Sequence, residues 1–204
     1  MLRVNPARFV FILAAFLAAM LPWGEVGAEG NTKALSPPSS PEAARSQKLE
    51  ALFARLREAQ KTEEAKAAAL SIERIWLQSA SDTANLLMQR ALVSMGSQQF
   101  PLALELLGKL VELEPDWAEA WNQRATVRFM TGDLDGAMAD ISHVLSLEPR
   151  HFGALTGMGM ILEREGFDRE ALEVFDKALA IYPLAPDVRK LSEKLRLEVE
   201  GQDI

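Results

Sequence analysis

A chain of 204 residues, 49% hydrophobic and 25% charged, is long and apolar enough to bury a sizeable core and lacks the composition of a disordered chain. Its formal net charge of −7 argues against nucleic acid and against an anionic membrane surface, since both are held by clustered Lys and Arg. With no cysteine, disulfides, a lipid-bearing thiol and thiolate chemistry are excluded.

In chain order, residues 1–28 read as a secretory signal peptide. Arg3 and Arg8 precede an unbroken apolar run over residues 9–21, and Val26, Gly27 and Ala28 offer a cleavage site. At about 1.5 Å per residue that run spans roughly 20 Å, short of a ~30 Å hydrocarbon core. Cleavage after Ala28 and a periplasmic or secreted location are therefore expected. The alternative is an inner-membrane tether that keeps the segment. Residues 29–42, with Pro37, Pro38 and Pro41 among serines, predict a flexible linker. From about residue 43 to residue 200 helical periodicity continues without strand-like alternation, so the fold class is all-α.

A period of 34 residues organises the middle of the chain. Leu87, Trp121 and Leu155 share one position of the register, and Ala91, Ala125 and Gly159 share the next. Further along stand Ala103, Ala137 and Ala171, then Leu107, Ile141 and Phe175, then Pro115, Pro149 and Pro183. The small residues are expected where two helix backbones approach closely, and the bulky ones fill the remaining space. Each proline pushes the residue before it out of helical geometry, so Glu114, Glu148 and Tyr182 should mark helix ends. The units are residues 84–117, 118–151 and 152–185. Gly132 with Asp133, and Gly166 with Asp168, supply a helix stop followed by a cap. The matching turn at residues 97–101 lacks the glycine and is expected to be the least regular.

Outside the units the pattern changes. One period upstream, Phe53, Leu56 and Ala69 fit the register, but Glu73 and Ser81 replace the large apolar residue and the proline. Residues 43–80 are therefore expected to be a helical hairpin that caps the stack as a degenerate repeat. At the other end, Val188, Leu191, Leu195 and Val199 form one stripe of a helix over residues 186–200, with Leu197 outside it. That helix is the expected second cap, because terminal units of an array must be atypical.

Catalytic patterns are missing from the sequence. His143 and His151 have no ligand partners at metal-binding spacing and read as surface or packing residues. The acidic run at residues 133–136 does not complete a calcium loop, because Thr131 and Ser142 fall where its first and last carboxylates belong. No phosphate-cradling loop or nucleophile elbow occurs. The chain is thus expected to be no enzyme, with no catalytic residue, metal or cofactor. Arg90 and Arg124 recur in register and read as structural, Arg124 pairing with Asp140.

By these residues the chain resembles the tetratricopeptide repeat (TPR) family, most closely over residues 118–183 and less closely over 84–115, about half the chain. With the leader, the layout looks like periplasmic TPR proteins of the Gram-negative envelope. The resemblance implies a right-handed superhelical stack of helix hairpins, capped by atypical helices at both ends. It also implies a non-enzymatic scaffold whose concave face, made by the first helix of each unit, binds a protein or peptide. Carried over by position, that face presents Asn85, Met88, Gln89 and Leu92, then Glu119, Asn122, Gln123 and Thr126, then Gly153, Thr156 and Met160. Chaperone-binding members clamp a terminal carboxylate there with Lys, Asn and Arg. Here Met88 and Leu92 stand for the Lys and Asn, and Gln89 and Gln123 for other asparagines, so the expected partner is an apolar or basic segment. No nucleic acid or small-molecule substrate is expected, and membrane contact only through an uncleaved amino terminus. The implied role is cell-envelope assembly or integrity.

Overall fold

The computed structural model describes residues 40–202; the expected signal peptide and residues 29–39 of the expected linker lie outside the described residues. The described residues fold into α1 (Pro41–Glu58), α2 (Thr62–Trp76), α3 (Asp82–Gly96), α4 (Phe100–Leu113), α5 (Ala118–Thr131), α6 (Leu134–Leu147), α7 (Phe152–Arg164), α8 (Asp168–Ile181) and α9 (Pro186–Gln202), with no strand among them. Helix α1 opens two residues inside the span read as linker. Ser40 Oγ accepts from the Ala43 N–H at 3.1 Å and Pro41 sits in the first turn, a cap that the proline-rich composition concealed.

Three antiparallel pairs, α3–α4, α5–α6 and α7–α8, stack in chain order, each packing on the next. Glu114, Glu148 and Tyr182 are the C-caps of α4, α6 and α8, each followed by its proline. Ala91, Ala103, Ala125, Ala137 and Ala171 are buried between helices, as are Leu107, Ile141, Leu155 and Phe175. Leu87 and Trp121 are only partly buried, and Pro115 and Pro149 are exposed. Gly159 has a different reason from the one its register position suggests. A Cβ there would lie 2.5 Å from the Phe175 ring, so an aromatic side chain, not a helix backbone, demands the glycine.

The turn inside each unit uses one left-handed residue. Gly132 and Gly166 adopt φ of 88° and 82°, and Gln98 adopts 59° at the same register position. The first turn keeps the shape of the others and carries its irregularity as strain in a residue with a Cβ. Gln98→Gly is therefore expected to stabilise the chain by about 1 kcal/mol, read as a higher midpoint in urea at unchanged slope.

Helix α9 seals the far end as its stripe predicts. Val188, Leu195 and Val199 are buried, Leu191 is partly buried, and Leu197 faces water. Asp176 of α8 takes hydrogen bonds from Ser192 Oγ and Arg196 Nη2.

The hairpin α1–α2 does not stack on α3 as a preceding unit would. Its core residues Leu52, Phe53, Leu56, Ala69, Ile72 and Trp76 cluster with Phe152, Ile181, Tyr182 and Leu184, and α1 meets α8. The pair lies along the turns between units, so residues 43–80 are a hairpin seated across the stack and not a cap on its end. Glu73 and Ser81, where the repeat would place a large apolar side chain and a helix-stopping proline, account for the departure: α2 lacks the knob that a stacked unit buries.

Candidate functional site: the inner face and the hairpin across it

The first helices of the units, α3, α5 and α7, carry every residue expected on the concave face. The structure divides these residues in two. Gln89 is exposed, and Leu92, Asn122, Thr126, Thr156 and Met160 are partly accessible. Met88, Glu119 and Gln123 are buried, which removes them from a peptide-facing role. Met88 belongs to the core shared by α3, α4 and α5. Asn85 is engaged as well, because its side chain takes the Ser79 N–H and donates to the Ser79 carbonyl, both at 2.9 Å, pinning the α2–α3 connection. Thr126 and Thr156 hydroxyls bond back to Asn122 and Phe152 carbonyls four residues earlier. Met160 also packs with the α7–α8–α9 core.

Glu119 and Gln123 are buried because the hairpin closes over the first turns of α5 and α7. The Trp76 ring stacks on His151 with centroids 4.2 Å apart and 12° between planes, and lies 5.2 Å from Phe152. The Trp117 indole donates to the Trp76 carbonyl at 2.7 Å. Trp117 and His151 stand at one register position, so two successive inter-unit turns grip the same α2 residue. On the α1 side, the Arg150 guanidinium lies 4.1 Å over the Phe53 ring and pairs with Glu50 at 2.9 Å. Arg45 donates to the Ile75 and Gln78 carbonyls and thereby closes the end of α2.

Beneath Trp76 a polar chain runs from α7 to α5. His151 Nδ1 accepts from the Ala154 N–H at 3.1 Å, capping α7, so its proton sits on Nε2 and is donated to Glu119 Oε2 at 3.0 Å. Glu119 Oε1 accepts from Asn122 Nδ2 and Gln123 Nε2. Glu73 of α2 faces this carboxyl; burial, and then the Glu119 charge, push the Glu73 carboxyl up to about 7. Glu73 also acts on Tyr182, whose phenol is pushed up by burial and then by the charges of Glu73, Asp187 and Glu63. His143 is half-buried, its ring 4.0 Å from Trp121. Among the described residues no group of His, Asp and Glu could hold a metal ion, and no helix is long and apolar enough to cross a membrane.

Helix pairs of 34-residue period, stacked through small residues and stopped by prolines, point to one family, and a relative decides it. A TPR repeat-containing protein of Rhizobium etli is 39% identical over 187 residues, covering 89% of this chain and 90% of that one. The chain is a tetratricopeptide repeat protein. Tetratricopeptide repeat protein 36 of Danio rerio is 33% identical over 92 residues, 43% of this chain and 49% of that protein. Among solved TPR structures, the Sgt2 TPR domain of Aspergillus fumigatus superposes with a TM-score of 0.57 at 14% identity, covering 60% of this chain and 83% of that one. YrrB does so with a TM-score of 0.51 at 24% identity, covering 76% of each chain. These likenesses establish the TPR fold. No family model matches the chain.

Within the TPR units the Arg124–Asp140 pair forms as expected. Arg124 Nε and Nη2 reach the two Asp140 oxygens at 2.9 and 2.7 Å, and Arg128 Nη1 adds a third contact at 2.9 Å. Arg90 departs from this pattern. Its counterpart of Asp140 is Leu106, and it remains exposed without a carboxylate among the described residues.

The sequence reading missed Glu73, Trp76, Trp117 and the polar role of His151 in this TPR protein. The one available signal was Glu73, a carboxylate on a helix otherwise buried through Ala65, Ala69, Ile72 and Trp76. Its titration makes hairpin docking depend on pH. Unfolded Glu73 ionises near 4.5 and folded Glu73 near 7, so the folded chain holds the proton more tightly. The resulting stabilisation is complete below about 4.5 and is lost as pH rises through 7, to an extent on the order of 2–3 kcal/mol. Glu73→Gln is expected to raise the melting temperature at pH 8, with a gain that shrinks toward pH 4.5. An equal gain at both pH values would contradict this assignment.

Proposed function

We propose that this TPR protein is a non-enzymatic periplasmic adaptor whose inner face holds a segment of a partner protein engaged in cell-envelope assembly or integrity. The observation that carries the reading is the surface left open by α3, α5 and α7. Gln89, Leu92, Asn122, Thr126 and Met160 remain accessible along it, while the hairpin closes only the first turns of α5 and α7. A face already built needs little ordering when a ligand arrives, which is how a helical scaffold gains affinity without chemistry. Amides, hydroxyls and a flexible thioether suit an apolar or basic segment that repacks on contact. With Met88 in the core, a terminal-carboxylate clamp has no cation there. YrrB, described as a TPR protein with an unusual peptide-binding site, supports peptide binding on this fold. The periplasmic part rests on the leader-like residues 1–28.

A photo-crosslinking residue at Asn122, with Lys177 on the exposed face of α8 as control, tests this reading in envelope fractions. Capture from position 122 alone is expected, and equal capture from both sites would sink it. Loss of about 3 kDa from the chain, as removal of a leader of this length gives, tests the location. Full-length chain in the membrane fraction would replace a free adaptor by a tethered one.

A further inference from the structure

The first TPR unit is bare where the others are covered. Leu86, Ala120 and Ala154 share one register position, Val93, Val127 and Ile161 a second, and Leu106, Asp140 and Val174 a third. In the second unit Ala120, Val127 and Asp140 are buried, the first two in a core completed by α3 and α4 of the preceding unit. In the third, Ala154 and Ile161 are buried against Ala125, Ala137, Ile141 and Val144 of the second. In the first unit Leu86 is 50% and Val93 69% exposed, because α1–α2 lies along the inter-unit turns and leaves this face open. With Leu102 and Leu106 they border an open groove of about 450 Å³ that Arg90 also lines. A repeat face of this kind is shaped to receive another helix, and contiguous exposed Leu and Val side chains mark an interaction site.

Arg90 identifies the chemistry of the missing helix. Its register partner Arg124 meets Asp140, but Leu106 stands where that acid would be, and no carboxylate lines the groove. We propose that the α3–α4 face docks an amphipathic helix of a partner protein, seated by its apolar stripe on Leu86, Val93, Leu102 and Leu106, with an Asp or Glu in that stripe paired to Arg90. A second copy paired through this same face about a two-fold axis would set Arg90 against Arg90 and bring no acid into the groove. Residues 9–21, the long apolar run of the leader, contain no acid either.

Three labelled helical peptides test the proposal by fluorescence anisotropy on the full chain. They share one Leu/Ala stripe and differ only in carrying Glu, Gln or Lys at its centre. The Glu peptide is expected to bind about ten-fold tighter than the Gln peptide, with the Lys peptide weakest. Arg90→Glu should reverse the order, and Val93→Asp should abolish binding of all three; both replace exposed side chains, so the thermal transition should stay in place. Equal affinities, insensitivity to Val93→Asp, or no binding by any peptide at about 1 mM would overturn the proposal. A concentration-dependent dimer in sedimentation, lost in Val93→Asp, would overturn it in favour of a second copy. Peptide binding that appears only after residues 1–28 are removed would overturn it in favour of the leader.

Discussion

Trp76→Ala is expected to destabilise the chain by about 3–5 kcal/mol and to detach α1–α2 from a stack that itself stays folded. The ring is almost fully buried and joins both faces of the seat. It packs on Phe53 within the hairpin, and on His151 and Phe152 across it. The buried residues of its core differ from those of the three cores inside the stack, although Ile181 and Tyr182 pack against both it and the α7–α8–α9 core. Stability in a repeat array is close to a sum of local and nearest-neighbour terms, so loss of one contact set need not unfold the rest. Hydrogen exchange should therefore show the amides of α2 and the first turn of α5 becoming labile while those of α6 and α8 stay protected. A single cooperative loss over all helices would show that the hairpin is integral to the stack.

Arg124→Met and Asp140→Val should each destabilise the chain, by about 2 and 3 kcal/mol, whereas the double substitution should return to within about 1 kcal/mol of the parent. The reason is written in the register itself. The third unit carries Met158 and Val174 where the second carries Arg124 and Asp140, so the same packing site already exists in an apolar form. Removing one charge leaves the other buried, with Asp140 nearly closed to water, whereas removing both leaves a hydrophobic contact. Arg128 retains the Gly136 carbonyl at 3.0 Å in either background. Additive losses in urea titrations of the three variants would show that the pair contributes no coupling.

The helix-stopping prolines were legible because a proline acts on its immediate neighbour, and Glu114, Glu148 and Tyr182 end their helices without any long-range requirement. The small residues were legible for a related reason, since Ala103, Ala137 and Ala171 report close packing repeated at a fixed interval. Gln98 shows where this kind of reading weakens. The surrounding pair imposes the left-handed turn even on a residue that disfavours it.

The inner face was legible as a set of positions but not as a surface. Position alone put Glu119 and Gln123 beside Asn122 and Thr126; whether each meets water depends on α2, which follows no repeat rule when it docks. His151 likewise looked like a packing residue, and it is buried, but its two nitrogens serve α7 and α5 at once.

The 34-residue period, the small and proline positions, the capping stripe of α9 and the family all follow from local sequence, because each rests on forces acting within one helix pair or between adjacent pairs. The seat of α1–α2, the burial of Glu119 under it, the raised titration of Glu73 and the bare α3–α4 face do not. They arise from contacts between Trp76, Trp117, His151 and Tyr182, residues tens to a hundred positions apart, and only the folded stack brings these together.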